Sequence, residues 1–223
     1  MAEKGIKKDN SIRIFIVDDH PLIRRGLSEV IQSHPQLKVC GEAGGVTEAL
    51  ELVEQAKPDL MIVDLSLEDG SGINLIKQIK AQYRSVKILV SSMYDEFLFA
   101  EQVLRAGASG YLSKREATDK VIEAIDQILK GRVYLSSAMT ERMLSKLWST
   151  EQDPKTDALH TLSDRELEVF RLLGEGCATR EIAERLHLSV KTIETYREHI
   201  KRKLDLRSSS ELTRRAVQWV LAE

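Results

Sequence analysis

The sequence predicts two domains of different class: a doubly wound α/β domain on a five-stranded parallel sheet, followed by an all-α domain of four helices. Three observations carry this expectation. Short apolar runs alternate with helix-period stretches over the first 131 residues, the pattern of a parallel sheet with helices on both faces. From Leu162 onward every apolar pattern has helical spacing. Between them, residues 149–160 (STEQDPKTDALH) are polar and carry Pro154, which reads as a linker. A length of 223 residues accommodates two ordinary domains.

Ile12–Val17 (IRIFIV) is rich in β-branched residues and predicts a buried strand; residues 21–33 predict a helix with Pro21 in its first turn. Leu37–Glu42 predicts a weaker strand, and Val46–Ala56 a helix with Leu50 and Val53 facing inward. Leu60–Val63 (LMIV) predicts a buried strand after the Pro58-Asp59 turn, and Gly72–Gln82 a helix along Ile73, Ile76 and Ile79. Val86–Val90 predicts a fourth strand, Glu96–Arg105 a helix, and Gly110–Leu112 a short fifth strand. Thr118–Lys130 closes this half as a helix along Val121, Ile122, Ile125 and Leu129, with Gly131 as its stop.

Residues 136–148 predict an amphipathic helix with Met139, Met143, Leu144, Leu147 and Trp148 as its apolar positions. Four helices are then expected at about 163–174, 178–186, 190–204 and 208–221. Their starts carry capping residues: Ser163 with Glu166, Thr179, Ser189, and Ser208 with Glu211.

The net charge of −2 gives no overall attraction to nucleic acid, so any such contact must come from a local patch. Cys40 and Cys177 stand far apart and form no disulfide framework, which points to a reducing compartment. The first residues (MAEKGIKKDNSIRI) lack the apolar core of a signal peptide, and no apolar run approaches the length that spans a bilayer. A cytoplasmic protein with no membrane partner is expected.

The strand exits carry the chemistry. The first ends in Asp18-Asp19, the third in Asp64, the fourth in Ser91-Ser92, and the fifth leads to Lys114. In a doubly wound sheet these positions meet at one edge. Carboxylates brought together repel one another unless a cation offsets them. A hard divalent ion with oxygen ligands, Mg2+ (or Mn2+), suits such a cluster, and Lys114 adds a second positive charge. A carboxylate beside these cations can act as a nucleophile toward a phosphoryl group, because both stabilise charge on the transferred oxygens.

Residues 12–131 resemble the receiver domain of two-component response regulators, a flavodoxin-like fold. The matching stretches are IFIVDDHP (Ile14–Pro21), KPDLMIVDLSL (Lys57–Leu67), ILVSSMYDE (Ile88–Glu96) and RAGASGYLSK (Arg105–Lys114). The resemblance implies that Asp64 accepts a phosphoryl group from a sensor histidine kinase and that Lys114 contacts the phosphate. It implies that Mg2+ is held by Asp18, Asp19, Asp64 and the backbone carbonyl of Ser66. Ser92 matches the switch hydroxyl, ahead of Ser91, because it directly precedes Met93-Tyr94-Asp95; Tyr111 matches the switch aromatic. One departure is Glu68, where the family commonly has proline, so a more flexible loop is expected at LSLEDGSG.

In the second half, the short connection Leu186-His187-Leu188-Ser189 between two predicted helices suits a helix-turn-helix. Residues 191–215 hold eight basic and four acidic residues, a local charge of +4 inside a chain of −2. By charge alone, a solvated helix laced with ion pairs has the same composition. Leu162–Leu204 (LSDRELEVFRLLGEGCATREIAERLHLSVKTIETYREHIKRKL) is similar to the LuxR-type helix-turn-helix, and with the receiver it matches the NarL/FixJ family. The likeness implies sequence-specific binding to double-stranded DNA under control of phosphorylation. It makes 191–204 the recognition helix, with Glu194, Thr195 and Glu198 facing the bases. Lys191, Thr192, Lys201, Arg202 and Lys203 are then phosphate contacts. The last helix, through Leu212, Val217 and Val220, resembles a homodimer surface. A glutamate can accept from cytosine N4 but repels phosphates.

The implied domains are 12–131 (receiver), 132–161 (linker with an amphipathic helix) and 162–223 (DNA-binding). His20 reads as a helix-start residue before Pro21 rather than a ligand, and Met139 and Met143 as packing. Two alternatives remain: a phosphohydrolase working through Asp64, or a receiver-based interaction module without DNA binding. The first would place a second acid two residues after the nucleophile, where this chain has Ser66. A regulator, not an enzyme, is expected.

Overall fold

A computed structural model describes residues 11–94, 96–148 and 158–221. The chain forms two compact units, Met1–Ser145 and Lys146–Glu223. In the first, five strands, β1 (Ile12–Val17), β2 (Leu37–Ala43), β3 (Leu60–Val63), β4 (Lys87–Ser92) and β5 (Gly110–Ser113), pair in the order β2-β1-β3-β4-β5. All four pairings are parallel. Helices α1 (Pro21–Gln32), α2 (Val46–Ala56), α3 (Gly72–Gln82), α4 (Glu96–Ala106) and α5 (Ala117–Leu129) connect or follow them.

The expected doubly wound sheet is therefore present, and its burial explains why the strands read as continuous apolar runs. Ile14, Ile16, Leu60, Ile62, Leu89 and Leu112 form one core with Leu27 and Ile31 of α1 and Val121, Ala124, Ile125 and Ile128 of α5. Alternate strand residues Phe15, Val17, Met61, Val63, Ile88 and Val90 are equally buried, on the other face. In α2 the buried residues are Ala49, Val53 and Ala56; Leu50 is only half-buried, against expectation. The chain order reverses between β1 and β3, which opens the crevice where a doubly wound sheet binds its ligand.

Two features are absent from the periodicity. Ser66–Leu67 and Gly70–Ser71 form a two-residue antiparallel hairpin after β3. At its tip the Asp69 carboxylate accepts from the α2 amides of Val46 (2.7 Å) and Thr47 (3.0 Å). These bonds hold the Asp69 carboxyl below its ordinary range. The loop expected to be flexible is thus closed as a hairpin and tied at its tip to α2. Second, the chain leaving α5 runs along β5. Tyr134 bridges Gly110 in parallel: its carbonyl accepts from Tyr111 N at 2.8 Å and its amide donates to Ser109 at 3.1 Å. Ser136 N then donates to the Glu96 carboxylate at 2.8 Å, and α6 (Ser137–Trp148) begins with Met139 fully buried. Arg142 of α6 lies over the Phe97 ring at 5.3 Å. Met143 is half-buried and Leu144 exposed, while the side chains of Leu147 and Trp148 lie outside the described residues.

The second unit holds α7 (Asp164–Gly174), α8 (Thr179–Arg185), α9 (Val190–Lys203) and α10 (Ser209–Leu221), preceded by a 3-10 turn at Ala158–Thr161. Ser163 and Glu166 form the expected capping box on α7. Ser189 caps α9 by accepting from Thr192 N at 3.1 Å. The N-cap of α8 is Ala178, not Thr179; the Thr179 hydroxyl instead accepts from Arg197 at 2.7 Å, pinning α8 to α9. The α8–α9 turn places His187 at φ 52, a left-handed position that ends α8 abruptly. Phe170, Ile182, Ile193, Ile200, Leu212 and Ala216 form the core, and Phe170 meets Trp219 at a tilt, 5.4 Å between ring centroids.

Candidate functional site

The site forms at the C-terminal ends of β1, β3 and β5. Asp18 is the first residue past β1 and Asp64 the first past β3, and both are 2% exposed. Lys114 follows β5, and its Nζ lies 2.6 Å from Asp18 Oδ2 and 2.6 Å from Asp64 Oδ2. Its position is fixed from the backbone, since Lys114 N donates to the Ser92 carbonyl at 2.8 Å. Gly72 lets α3 start against the site: a Cβ there would sit 2.1 Å from the Asp64 carbonyl oxygen.

One ammonium shared by two buried carboxylates has unequal consequences. Burial pushes the Asp64 carboxyl from 3.8 to about 6, although Lys114 draws it down. Burial also works against the Lys114 ammonium, but Asp64 and Asp18 together outweigh it and raise its pKa. The cation is thus held firmly charged, and the carboxylates are left short of positive charge.

The remaining donors show where that charge can come from. Ligand atoms of Asp18, Asp19, His20 and Asp64 lie within 4.8 Å of one another. Asp19 Oδ1 is buried and makes no well-formed hydrogen bond, although His20 Nδ1 approaches it to 2.5 Å. Three carboxylates facing one ammonium, with a buried oxygen unsatisfied, fit a hard divalent cation. His20, whose side chain is 66% exposed, stands at this cluster as well as at the helix start.

The switch candidates lie on β4 and β5. Ser92 is buried at the end of β4, and its Oγ accepts from Tyr94 N at 3.2 Å. Tyr111 is buried on β5 and its hydroxyl donates to the Tyr94 carbonyl at 2.8 Å. Ser91 is buried beside Ser92 with no partner for its Oγ. Sequence reasoning did not single out Tyr94. Its hydroxyl donates to Ser66 Oγ at 3.0 Å and its ring stacks on Phe99 with centroids 5.0 Å apart, so it joins the β3–α3 loop to α4. Ser66 N also donates to Asp64 Oδ1 at 3.3 Å.

On the second unit, Lys191, Glu194, Thr195, Glu198 and Arg202 form one exposed stripe of α9, opposite the buried Ile193 and Ile200. A groove of about 550 Å³ is lined by Lys191, Glu194, Thr195 and Glu198 together with Thr179, Arg197 and Ser209. Thr192 is engaged in the Ser189 cap. Lys201 Nζ reaches Glu198 at 2.8 Å. Lys203 Nζ lies 2.6 Å from the buried Glu166, an ion pair inside the unit. Burial resists ionisation of Glu166, but its bonds to Lys203 and Ser163 prevail and hold its carboxyl below the usual range. Leu212 is fully buried in the unit's own core and so is not available as a dimer surface; Val217 and Val220 are half-buried.

No described helix is long and apolar enough to cross a membrane. The model of the response regulator receiver domain matches residues 14–126, and that of bacterial regulatory proteins of the luxR family matches residues 160–216. The chain is 36% identical over 216 residues to the oxygen regulatory protein NreC of Staphylococcus carnosus, covering 95% of this chain and 100% of that protein. RcsB of Salmonella enterica serovar Typhimurium, solved bound to the promoter rprA with the phosphomimetic BeF3-, matches with TM-score 0.61 and 27% identity, over 93% of this chain and 99% of that one. A structure of two RcsB dimers on two parallel DNAs matches with TM-score 0.57 and 27% identity, over 93% and 98%. A doubly wound sheet with an acidic crevice, a helix-turn-helix with an exposed polar stripe and these full-length likenesses together place the chain in the NarL/FixJ family of two-component response regulators, transcription regulators in which a receiver precedes a LuxR-type DNA-binding domain.

Proposed function

We propose that Asp64 is the phosphoacceptor of a receiver spanning 12–131, joined by 132–161 to a DNA-binding domain at 162–223. The observation that carries this reading is the Lys114 ammonium held 2.6 Å from both Asp64 and Asp18. An Asp64 oxygen attacks phosphorus on a phosphohistidine of a sensor kinase; the new P–O bond forms as the P–N bond breaks, and the imidazole leaves. Lys114 is positioned to stabilise the charge on the transferred oxygens. Asp18, Asp19, Asp64 and the Ser66 carbonyl are the residues that would hold Mg2+ (or Mn2+), which supplies further charge neutralisation when bound.

The acyl phosphate adds about two negative charges at the crevice. In this reading the Ser92 hydroxyl bonds it, and Tyr111 is the aromatic that moves with Ser92. Asp64 is a stoichiometric acceptor in this reading, not a turnover catalyst. The output is binding of double-stranded DNA through the α9 stripe, by a homodimer, in the cytoplasm. RcsB dimers on DNA support the dimeric form. In this reading Lys191, Thr192, Lys201 and Arg202 make the phosphate contacts, although Thr192 is also engaged in the Ser189 cap, Lys201 with Glu198, and Lys203 with Glu166. Beryllofluoride treatment of the full chain followed by DNA selection tests the reading. Enrichment of one sequence, stronger with treatment and unresponsive in Asp64→Asn, is expected; an unchanged response in that variant would overturn the assignment.

A further inference from the structure

The exposed stripe of α9 has an unusual order of charge. Lys191 and Arg202 stand at its ends, and Glu194 and Glu198 between them flank Thr195. At 1.5 Å per residue the end residues are about 16 Å apart along the axis, and the two glutamates about 6 Å. The major groove is about 12 Å wide, so a stripe of this length lying across it sets its ends at the phosphate walls and its middle over the base edges. The cations are thus where phosphates lie, and the carboxylates are where bases lie. Among the described residues Lys191, Glu194 and Arg202 take part in no ion pair, and Glu198, itself exposed, pairs only with the half-buried Lys201. A pair whose carboxylate stands this far in solvent can be exchanged for a base contact. The Thr195 hydroxyl donates to the Lys191 carbonyl at 3.0 Å, so its γ-methyl is the group left for an apolar contact.

An ionised carboxylate accepts hydrogen bonds and cannot donate them. In the major groove guanine offers N7 and O6 and thymine offers O4, all acceptors, which repel it. Cytosine offers the N4 amino donor; adenine offers N6 but sets the N7 acceptor beside it. We infer that Glu194 and Glu198 form an acidic reading edge that selects cytosine at two positions of each half-site. The inference rests on the DNA-binding reading above and adds to it the identity of the bases read.

The test is selection from a randomised duplex pool with the full-length, beryllofluoride-treated protein, wild type and the variants Glu194→Gln and Glu198→Gln, with thermal melts to verify that each variant is folded. Wild type is expected to enrich cytosine at two positions. Each variant should lose discrimination at one of them, by about 5- to 150-fold, and gain adenine there, because a glutamine amide is bidentate to adenine N6 and N7. Unchanged base preferences with tighter binding to every sequence would overturn the inference, since the carboxylates would then face only phosphates. Failure of the wild type to enrich any sequence, treated or untreated, would overturn the DNA-binding reading itself, and the inference with it.

Discussion

Replacing Asp64 by asparagine keeps the shape of the side chain and removes its charge, which isolates the electrostatic cost of the acidic crevice. In the folded chain burial lifts the Asp64 carboxyl from 3.8 to about 6. The folded state therefore binds this proton more tightly than the unfolded state does. It follows that ionised Asp64 destabilises the domain at neutral pH, and that the penalty vanishes below about pH 4. Moving a carboxyl from 3.8 to about 6 corresponds to roughly 3 kcal/mol at ~1.36 kcal/mol per pH unit. Because the residue is only 2% exposed, solvent screening takes little from this figure. Asp64→Asn should thus be more stable than wild type by up to about 3 kcal/mol at pH 7.5 in chelator, with the gap closing between pH 6 and pH 4. Urea titrations read by hydrogen exchange of peptides from β1 and β3 measure this for the first unit by itself. Added Mg2+ should narrow the gap by stabilising wild type alone. A difference independent of pH, or a variant less stable than wild type at pH 7.5, would refute the electrostatic account.

Gly72→Ala should lower the first unit's stability by about 1–3 kcal/mol or more in the same measurement, because the new Cβ meets backbone atoms of Asp64 and Leu65, which cannot turn aside as a side chain can; wild-type stability in that variant would contradict the packing. Lys191→Ala should leave melting unchanged and reduce the dependence of log K on log salt by about 1, whereas Lys203→Met should strand the buried Glu166 carboxylate and cost the second unit about 1–2 kcal/mol; melting curves and salt titrations of DNA binding separate the two.

Which of these features the sequence discloses depends on how local their causes are. Runs such as LMIV (Leu60–Val63) announce a strand buried on both faces because every residue must be apolar there. Asp18, Asp64 and Lys114 could be placed together because strand order in a parallel sheet converts exits into neighbours. Pairings that jump along the chain leave no such trace. Nothing in EDGSG foretells that Asp69 caps a helix starting at Val46, nor that this bond pins the loop expected to be loose. Thr179 has the right chemistry for a cap, but a basic side chain eighteen residues on claims its hydroxyl. Leu212 has the periodicity of an exposed dimer stripe and of a core stripe alike, and only the packing of α10 on α7 decides between them. Tyr94 was visible as part of a motif, but its bond to Ser66 spans 28 residues.

The strip of chain at Tyr134 has a consequence for how the molecule comes apart. It is held to β5 by two backbone hydrogen bonds, to Tyr111 and Ser109. Such bonds are worth about 1 kcal/mol each, but the strip is also held by Tyr134 packed against the core, by the Ser136–Glu96 bond and by the fully buried Met139. Releasing the strip from the sheet edge therefore costs more than its two backbone bonds, because the packing of Tyr134 and Met139 must be given up with them. Part of that fastening is set on the backbone of Tyr111, the residue whose buried side chain donates to the Tyr94 carbonyl, so loosening the strip frees the amide beneath that aromatic.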